Sequence, residues 1–147
     1  MDRAVITFHT TFDRFKLKQV TQLKKWIEHT ITAEKKRLGQ LTYFFCDDAY
    51  LLGLNQKFLN HDTLTDIITF DYSSEKNMNG DIFISIERVK ENAVKYAPTF
   101  EDELHRVMIH GVLHLLGYRD KTIAQKTEMT EKENFYLAIY KSKKIKT

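Results

Sequence analysis

Residues 110–120 read HGVLHLLGYRD. His110 and His114 stand four apart, Gly117 follows three later, and Asp120 three after that. Residues four apart on a helix lie one above the other on one face, so two imidazoles can address one ion from a rigid platform. Gly117 can take the left-handed conformation that ends a helix at little cost. A chain that turns there can bring Asp120 back as a third ligand. Zinc accepts imidazole nitrogen and carboxylate oxygen in a tetrahedral shell, and three protein ligands leave a fourth place open, as catalytic sites do. The spacing therefore predicts one zinc ion per chain, held by a helix and the loop after it. Two histidines four apart often serve only structure; the glycine and the acid at the later spacing set this pair apart. His105, five before His110, points elsewhere on the helix. His9, His29 and His61 lie outside the pattern and read as surface or internally satisfied residues.

Zinc peptidases with two histidines at this spacing carry a glutamate directly after the first, as the base that activates water. Here that place is Gly111, which cannot take a proton. It can clear space beside the metal for a bulky ligand or another backbone. A metallopeptidase thus loses its main chemical part while the metal reading stands.

The elements that must position these groups follow from hydrophobic spacing and turn signals. Val5 to Phe12 is rich in strand formers. Leu17, Val20, Leu23, Ile27 and Ile31 recur at helical spacing through Leu17 to Thr32. EKKRLG, ending at Gly39, reads as a turn, and LTYFFC as a buried strand. Its aromatics Tyr43, Phe44 and Phe45 read as core. Asp47 and Asp48 can cap a helix through AYLLGLNQKFL. NHDTLT is a polar turn, DIITFDY a strand, SSEKNMNG a loop and DIFIS a further strand, the two strands forming an antiparallel hairpin. IERVKENAVKYA is an amphipathic helix ended by Pro98. Thr99 caps EDELHRVMIHGVLHLL, which runs to Gly117. TIAQKTEMTEKENFYLAIYKSKK gives a last helix, with Thr130 and Glu133 in capping-box form, although a start a few residues earlier is open. The expected fold is α/β (α+β): a small mixed sheet of about four strands packed with about five helices, one domain over residues 1–147.

The 147 residues suit one core, at 42% hydrophobic and 29% charged. No apolar run reaches the length of a membrane span. The first residues, MDRAVITF, lack the features of a secretion signal. The one cysteine, Cys46, allows no internal disulfide and reads as a small core residue. A cytoplasmic protein without a membrane partner is the expectation. A net charge of +3 permits a polyanionic partner without demanding one. Lys16, Lys18, Lys24 and Lys25, then Lys35, Lys36 and Arg37, group near the first helix; either a solvated face or a phosphate-binding face fits them. The tail KSKKIKT reads as a solvated end.

HGVLHLLGYRD resembles the signature HGxLHLxGYDH of the YbeY family, through His110, Gly111, Leu113, His114, Leu115, Gly117 and Tyr118. LNQKFLNHDTLTDIITF is similar to that family's N-x-x-Y-R-x-x-D-x-x-T-D-V-L-S-F through Asn55, Asp62, Thr65, Asp66 and Phe70. NGDIFIS is similar to G-D-I-x-I-S through Gly80, Asp81, Ile82, Ile84 and Ser85. The three blocks keep the family's order and spacing from Asn55 to Asp120. The resemblance implies a bacterial metal-dependent endoribonuclease that acts on single-stranded RNA in ribosomal RNA processing, ribosome maturation and quality control, with ribosomal particles or proteins as further partners. It also offers Gly111, Thr65, Asp66 and Asp81 as residues beside the metal or the substrate. Two positions depart from the pattern. The usual third ligand is histidine, where this chain has Asp120; the usual arginine, suited to pairing with phosphate, is Leu59. Lys57, His61 and Arg106 are the candidates to replace it. A rival reading without catalysis, a zinc-stabilised ribosome assembly factor, draws its force from Leu59.

Overall fold

The computed structural model describes residues 4–11, 15–59 and 65–142. Its elements are β1 (Val5–Thr10), α1 (Val20–Ala33), β2 (Arg37–Cys46), α2 (Asp48–Phe58), β3 (Ile67–Asp71), β4 (Asn77–Ser85), α3 (Ile86–Tyr96), α4 (Phe100–Leu115) and α5 (Ile123–Ser142). The four strands form one mixed sheet in the order β1-β2-β4-β3. β1, β2 and β4 run parallel, and β3 pairs antiparallel with β4, with Ile67 opposite Ile84 and Asp71 opposite Gly80. The hairpin and the five helices match the expected class.

Strand alternation divides the core. Leu41, Tyr43, Phe45, Ile82 and Ile84 point to one face, where they join Leu23, Trp26, Ile27 and Ile31 of α1 and Val107, Met108 and Val112 of α4. Tyr43 is fully buried, and its hydroxyl donates to the Met108 carbonyl at 2.9 Å. Cys46, Phe83 and Ile68 point to the other face and pack with Leu51 of α2. Cys46 is thus a core thiol, as its apolar surroundings in the sequence suggest.

Several boundaries differ from expectation. β2 begins at Arg37, inside the stretch read as a turn, and β4 begins at Asn77, inside the stretch read as a loop. The two polar segments pair with each other, Arg37 opposite Asn77 and Leu38 opposite Met78, before a register shift. Asn79 Oδ1 accepts from the Gln40 N–H at 2.7 Å in the space that a side chain at Gly39 would fill. α1 starts at Val20 rather than Leu17, because Gln19 takes a left-handed conformation with φ 58°. α5 does start at Ile123, at the head of the stretch read as the last helix, but its cap differs: Thr122 and Gln125 form a reciprocal capping box in which Thr122 Oγ1 accepts from Gln125 N and Gln125 Oε1 from Thr122 N, each at 3.1 Å. Glu133, read as part of a cap, lies mid-helix instead. Phe12, most of the NHDTLT turn with His61 and Asp62, and the tail from Lys143 lie outside the described residues. No described helix is long and apolar enough to cross a membrane.

Candidate metal centre

α4 is the platform. Thr99 caps it by accepting from Asp102 N at 3.0 Å, and Glu101, Asp102 and Glu103 in the first turn suit the positive end of its dipole. Its far end closes by the paired hydrogen bonds of a Schellman motif: Tyr118 N donates to Leu113 O and Gly117 N to His114 O, both at 3.0 Å. Gly117 has φ +107°, a conformation that other residues rarely adopt. The chain reverses there, as its sequence position suggested.

The reversal brings Asp120 back over the helix. Its Oδ2 lies 3.3 Å from His110 Nε2 and 3.3 Å from His114 Nε2. The donor atoms of the three side chains lie within 4.8 Å of one another, and among the described residues this is the group of that kind that could hold a metal ion. Two ligands at zinc distances of about 2.05 Å, set at a tetrahedral angle, stand about 3.3 Å apart. The donor set therefore fits a small tetrahedral cation in both chemistry and spacing.

Glu133 of α5 supplies the group that spacing around the histidines does not show. Its Oε2 stands 2.6 Å from His110 Nδ1, and its Oε1 accepts from Arg106 Nη1 at 2.8 Å. A carboxylate on the far nitrogen fixes the imidazole's tautomer and orientation and turns Nε2 toward the metal. One sequence signal existed: Glu133 interrupts the buried stripe of Met129, Tyr136 and Leu137.

The electrostatics follow from this packing. Burial opposes a charge on His110, yet Glu133, with Asp120 and Asp66 behind it, holds its pKa above the ordinary imidazole value. Burial and the neighbouring His110 push His114 down. Burial also raises the Asp66 carboxyl above its usual range.

The three residues open into a cavity of about 480 Å³ that Asn55, Leu59, Thr65, Asp66, Ile67, Ile68 and Thr69 also line. Thr65 and Asp66 are thus brought to the site. Asp81 is not among its lining residues; it is hydrogen-bonded to Tyr72 on the hairpin. Gly111 clears space in a different direction from that expected. A Cβ there would meet Ile82 Cδ1 at 2.9 Å and Ile67 Cδ1 at 3.0 Å, so its bareness lets α4 lie close on the sheet and leaves the metal side unaffected. Among the arginine substitutes, Arg106 is held by Glu133 and by Asn134 Oδ1 at 2.7 Å, and Lys57 lies over the Phe58 ring at 5.3 Å. His105 is buried on the Trp26 side of α4, away from the metal face, against Trp26 and Tyr140.

Comparison with known proteins gives one answer across nearly the whole chain. Residues 7–141 match the profile of the family described as Endoribonuclease YbeY. The Endoribonuclease YbeY of Flavobacterium psychrophilum is 49% identical over 92% of this chain and 96% of its own length. That of Karelsulcia muelleri is 47% identical over 90% of this chain and 94% of its own. The solution structure of TM1509 from Thermotoga maritima superposes with a TM-score of 0.65 at 29% identity, over 95% of this chain and 91% of that one. With a profile match of that extent and relatives this similar, the chain belongs to the Endoribonuclease YbeY family.

Proposed function

We propose that this chain is a zinc-dependent endoribonuclease that cuts single-stranded RNA, and that ribosomal RNA precursors and ribosomal particles are its natural targets. The observation that carries the zinc reading is the 3.3 Å separation of Asp120 Oδ2 from both His110 Nε2 and His114 Nε2. One ion, with His110, His114 and Asp120 as its protein ligands, satisfies that spacing. The chemistry such an ion supplies is acidification of a water and polarisation of a phosphoryl oxygen.

The chain's own residues supply the rest. Glu133 orients His110. Asp66, half-buried beside the ligands and with its pKa raised by desolvation, would hold or pass a proton in the cavity. Thr65 offers a hydroxyl on the same wall, and Leu59 an apolar one. The side chains of His110 and His114 are only 20% and 26% exposed, so a phosphodiester must enter a recess to reach them. A flexible strand can fold into a recess more readily than a stacked duplex, which supports the single-strand reading. Ribosomal RNA as the target rests on the family.

The test is cleavage of an end-labelled single strand by zinc-loaded protein, beside the same sequence as a duplex and beside His114→Ala. The expected result is cutting of the single strand by the unaltered protein alone. Products ending in a 2′,3′-cyclic phosphate would assign the attack to the RNA's own 2′-hydroxyl. Full zinc binding without cutting would instead favour the assembly factor, a reading to which Leu59 in place of the family's arginine lends weight.

A further inference from the structure

The loop that carries Asp120 is fastened by a carboxylate that is not among the residues lining the metal cavity. At one end the Schellman hydrogen bonds hold Gly117 and Tyr118 to α4. At the other, Lys121 N and Thr122 N donate to Gln125 Oε1 at 3.0 and 3.1 Å. Between these ends the Tyr118 hydroxyl donates to Glu34 Oε1 at 2.6 Å. Glu34 caps the carboxyl end of α1, and its side chain is only 12% exposed. Its second oxygen accepts from Lys132 Nζ at 3.1 Å and from the Tyr136 hydroxyl, both on α5. Lys132 also lies over the Tyr118 ring, 5.4 Å from its centre. Burial disfavours the charge on Glu34, and these donors outweigh it, so the carboxyl titrates below the usual glutamate range.

The three ligands are not held alike. His110 and His114 ride on α4, whose backbone fixes them. Asp120 depends on the loop, and Tyr118 reaches from that loop to Glu34 at the end of α1 and to Lys132 of α5. We propose that Glu34 is a positioning residue for the metal centre: through the Tyr118 hydroxyl it holds residues 117–120 so that the Asp120 carboxylate stands over both imidazoles. The proposal rests on Asp120 being a ligand. It assigns Tyr118, in the signature stretch, a mechanical task. It also makes α1, which carries no ligand, part of the metal site.

The test is zinc affinity, measured by competition with a chromophoric chelator on the full chain. The variants are Tyr118→Phe, Glu34→Gln, Asp120→Ala, and Tyr118→Phe combined with Asp120→Ala. Thermal midpoints of the zinc-free proteins are read alongside. Tyr118→Phe removes one oxygen and should leave the chain folded, with a zinc-free midpoint lowered by the loss of one of the three donors on the Glu34 carboxylate. It should still weaken zinc by roughly three- to tenfold, at or below the low end for lost support of a ligand. In the Asp120→Ala background the same change should have no further effect, because no loop ligand remains to position. A purely structural contact would not show that dependence. Unchanged affinity in Tyr118→Phe, beside a loss in Asp120→Ala, would overturn the positioning role and leave the ligand set standing. So would losses that simply add in the double variant. Unchanged affinity in Asp120→Ala would instead remove Asp120 from the ligand set, and the inference with it.

Discussion

Glu133 Oε2 lies 2.6 Å from His110 Nδ1, while the Nε2 of the same ring faces Asp120 at 3.3 Å. The imidazole is therefore spoken for on both nitrogens, one by a carboxylate and one by the cavity. Glu133→Gln keeps the volume and one acceptor but removes the charge that favours a proton on Nδ1. Zinc affinity should fall by about tenfold, the low end for loss of such a partner. Chelator competition measures it. Equal affinity in the variant would show that His110 is oriented by something other than Glu133.

The contrast between Glu133 and Asp120 shows what the sequence makes legible. His110, His114, Gly117 and Asp120 act within eleven consecutive residues, so helical geometry and one glycine turn suffice to assemble them. Glu133 joins them from another helix, 23 residues from His110, and its local spacing from Thr130 resembles a cap. Only the packing of α5 on α4 separates the two readings. The strand starts fail for a related reason. Arg37–Gln40 and Asn77–Gly80 are polar, turn-forming stretches whose own preference is irregular backbone; they become strand by pairing across β2 and β4. Residues with strong periodicity, such as Leu23, Ile27 and Ile31 of α1, need no such help and lie in the core as expected. Gly111 was legible as a bare position, but its direction was not, since the sheet that it faces is assembled from distant strands.

Gly111 yields the second prediction. Alanine is favoured over glycine in a helix by about 1 kcal/mol. Against that, the added methyl would press on Ile82, which is fully buried, and on Ile67 at 3.0 Å or less. Overpacking of this kind costs about 1–3 kcal/mol. Gly111→Ala should therefore be destabilised by about 1 kcal/mol in urea unfolding. Gly111→Glu, which writes the peptidase motif into α4, would drive a carboxylate into the same apolar contact. It should fail to accumulate as folded protein and should not digest casein. A stable Gly111→Glu with normal unfolding would show that α4 can rotate or lift from the sheet.

The third prediction concerns acid stability. The hydroxyls of Tyr118 and Tyr136 and the Lys132 ammonium overcome burial and hold the Glu34 carboxyl below its ordinary value. A carboxyl whose pKa is lower folded than unfolded binds a proton more readily in the unfolded chain. Its contribution is therefore fully present above the unfolded value of about 4.3, and is lost as pH falls through the lower folded value. The thermal midpoint of the unaltered protein should exceed that of Glu34→Gln near neutral pH. The gap should narrow as pH drops below about 4. A gap independent of pH would mean that Glu34 stabilises through shape and not through its charge.

Leu59 gives the last prediction. It lines the candidate metal cavity and is 43% exposed, where the family pattern that this stretch is similar to carries arginine. Arg106 is engaged by Glu133 and Asn134, Lys57 lies on the Phe58 ring, and the described residues that line the cavity include no arginine or lysine. Leu59→Arg removes little core packing and adds a planar donor suited to bidentate contact with phosphate. Charge that builds on the phosphoryl oxygens during cleavage is then met by a fixed cation, an effect of the kind that raises turnover more than binding. The variant should cut a labelled single strand about tenfold faster at saturating RNA, with zinc affinity unchanged. If kcat stays level while RNA binds more tightly, position 59 serves to dock the backbone, and the charge of the reaction is met by the metal and its ligands alone.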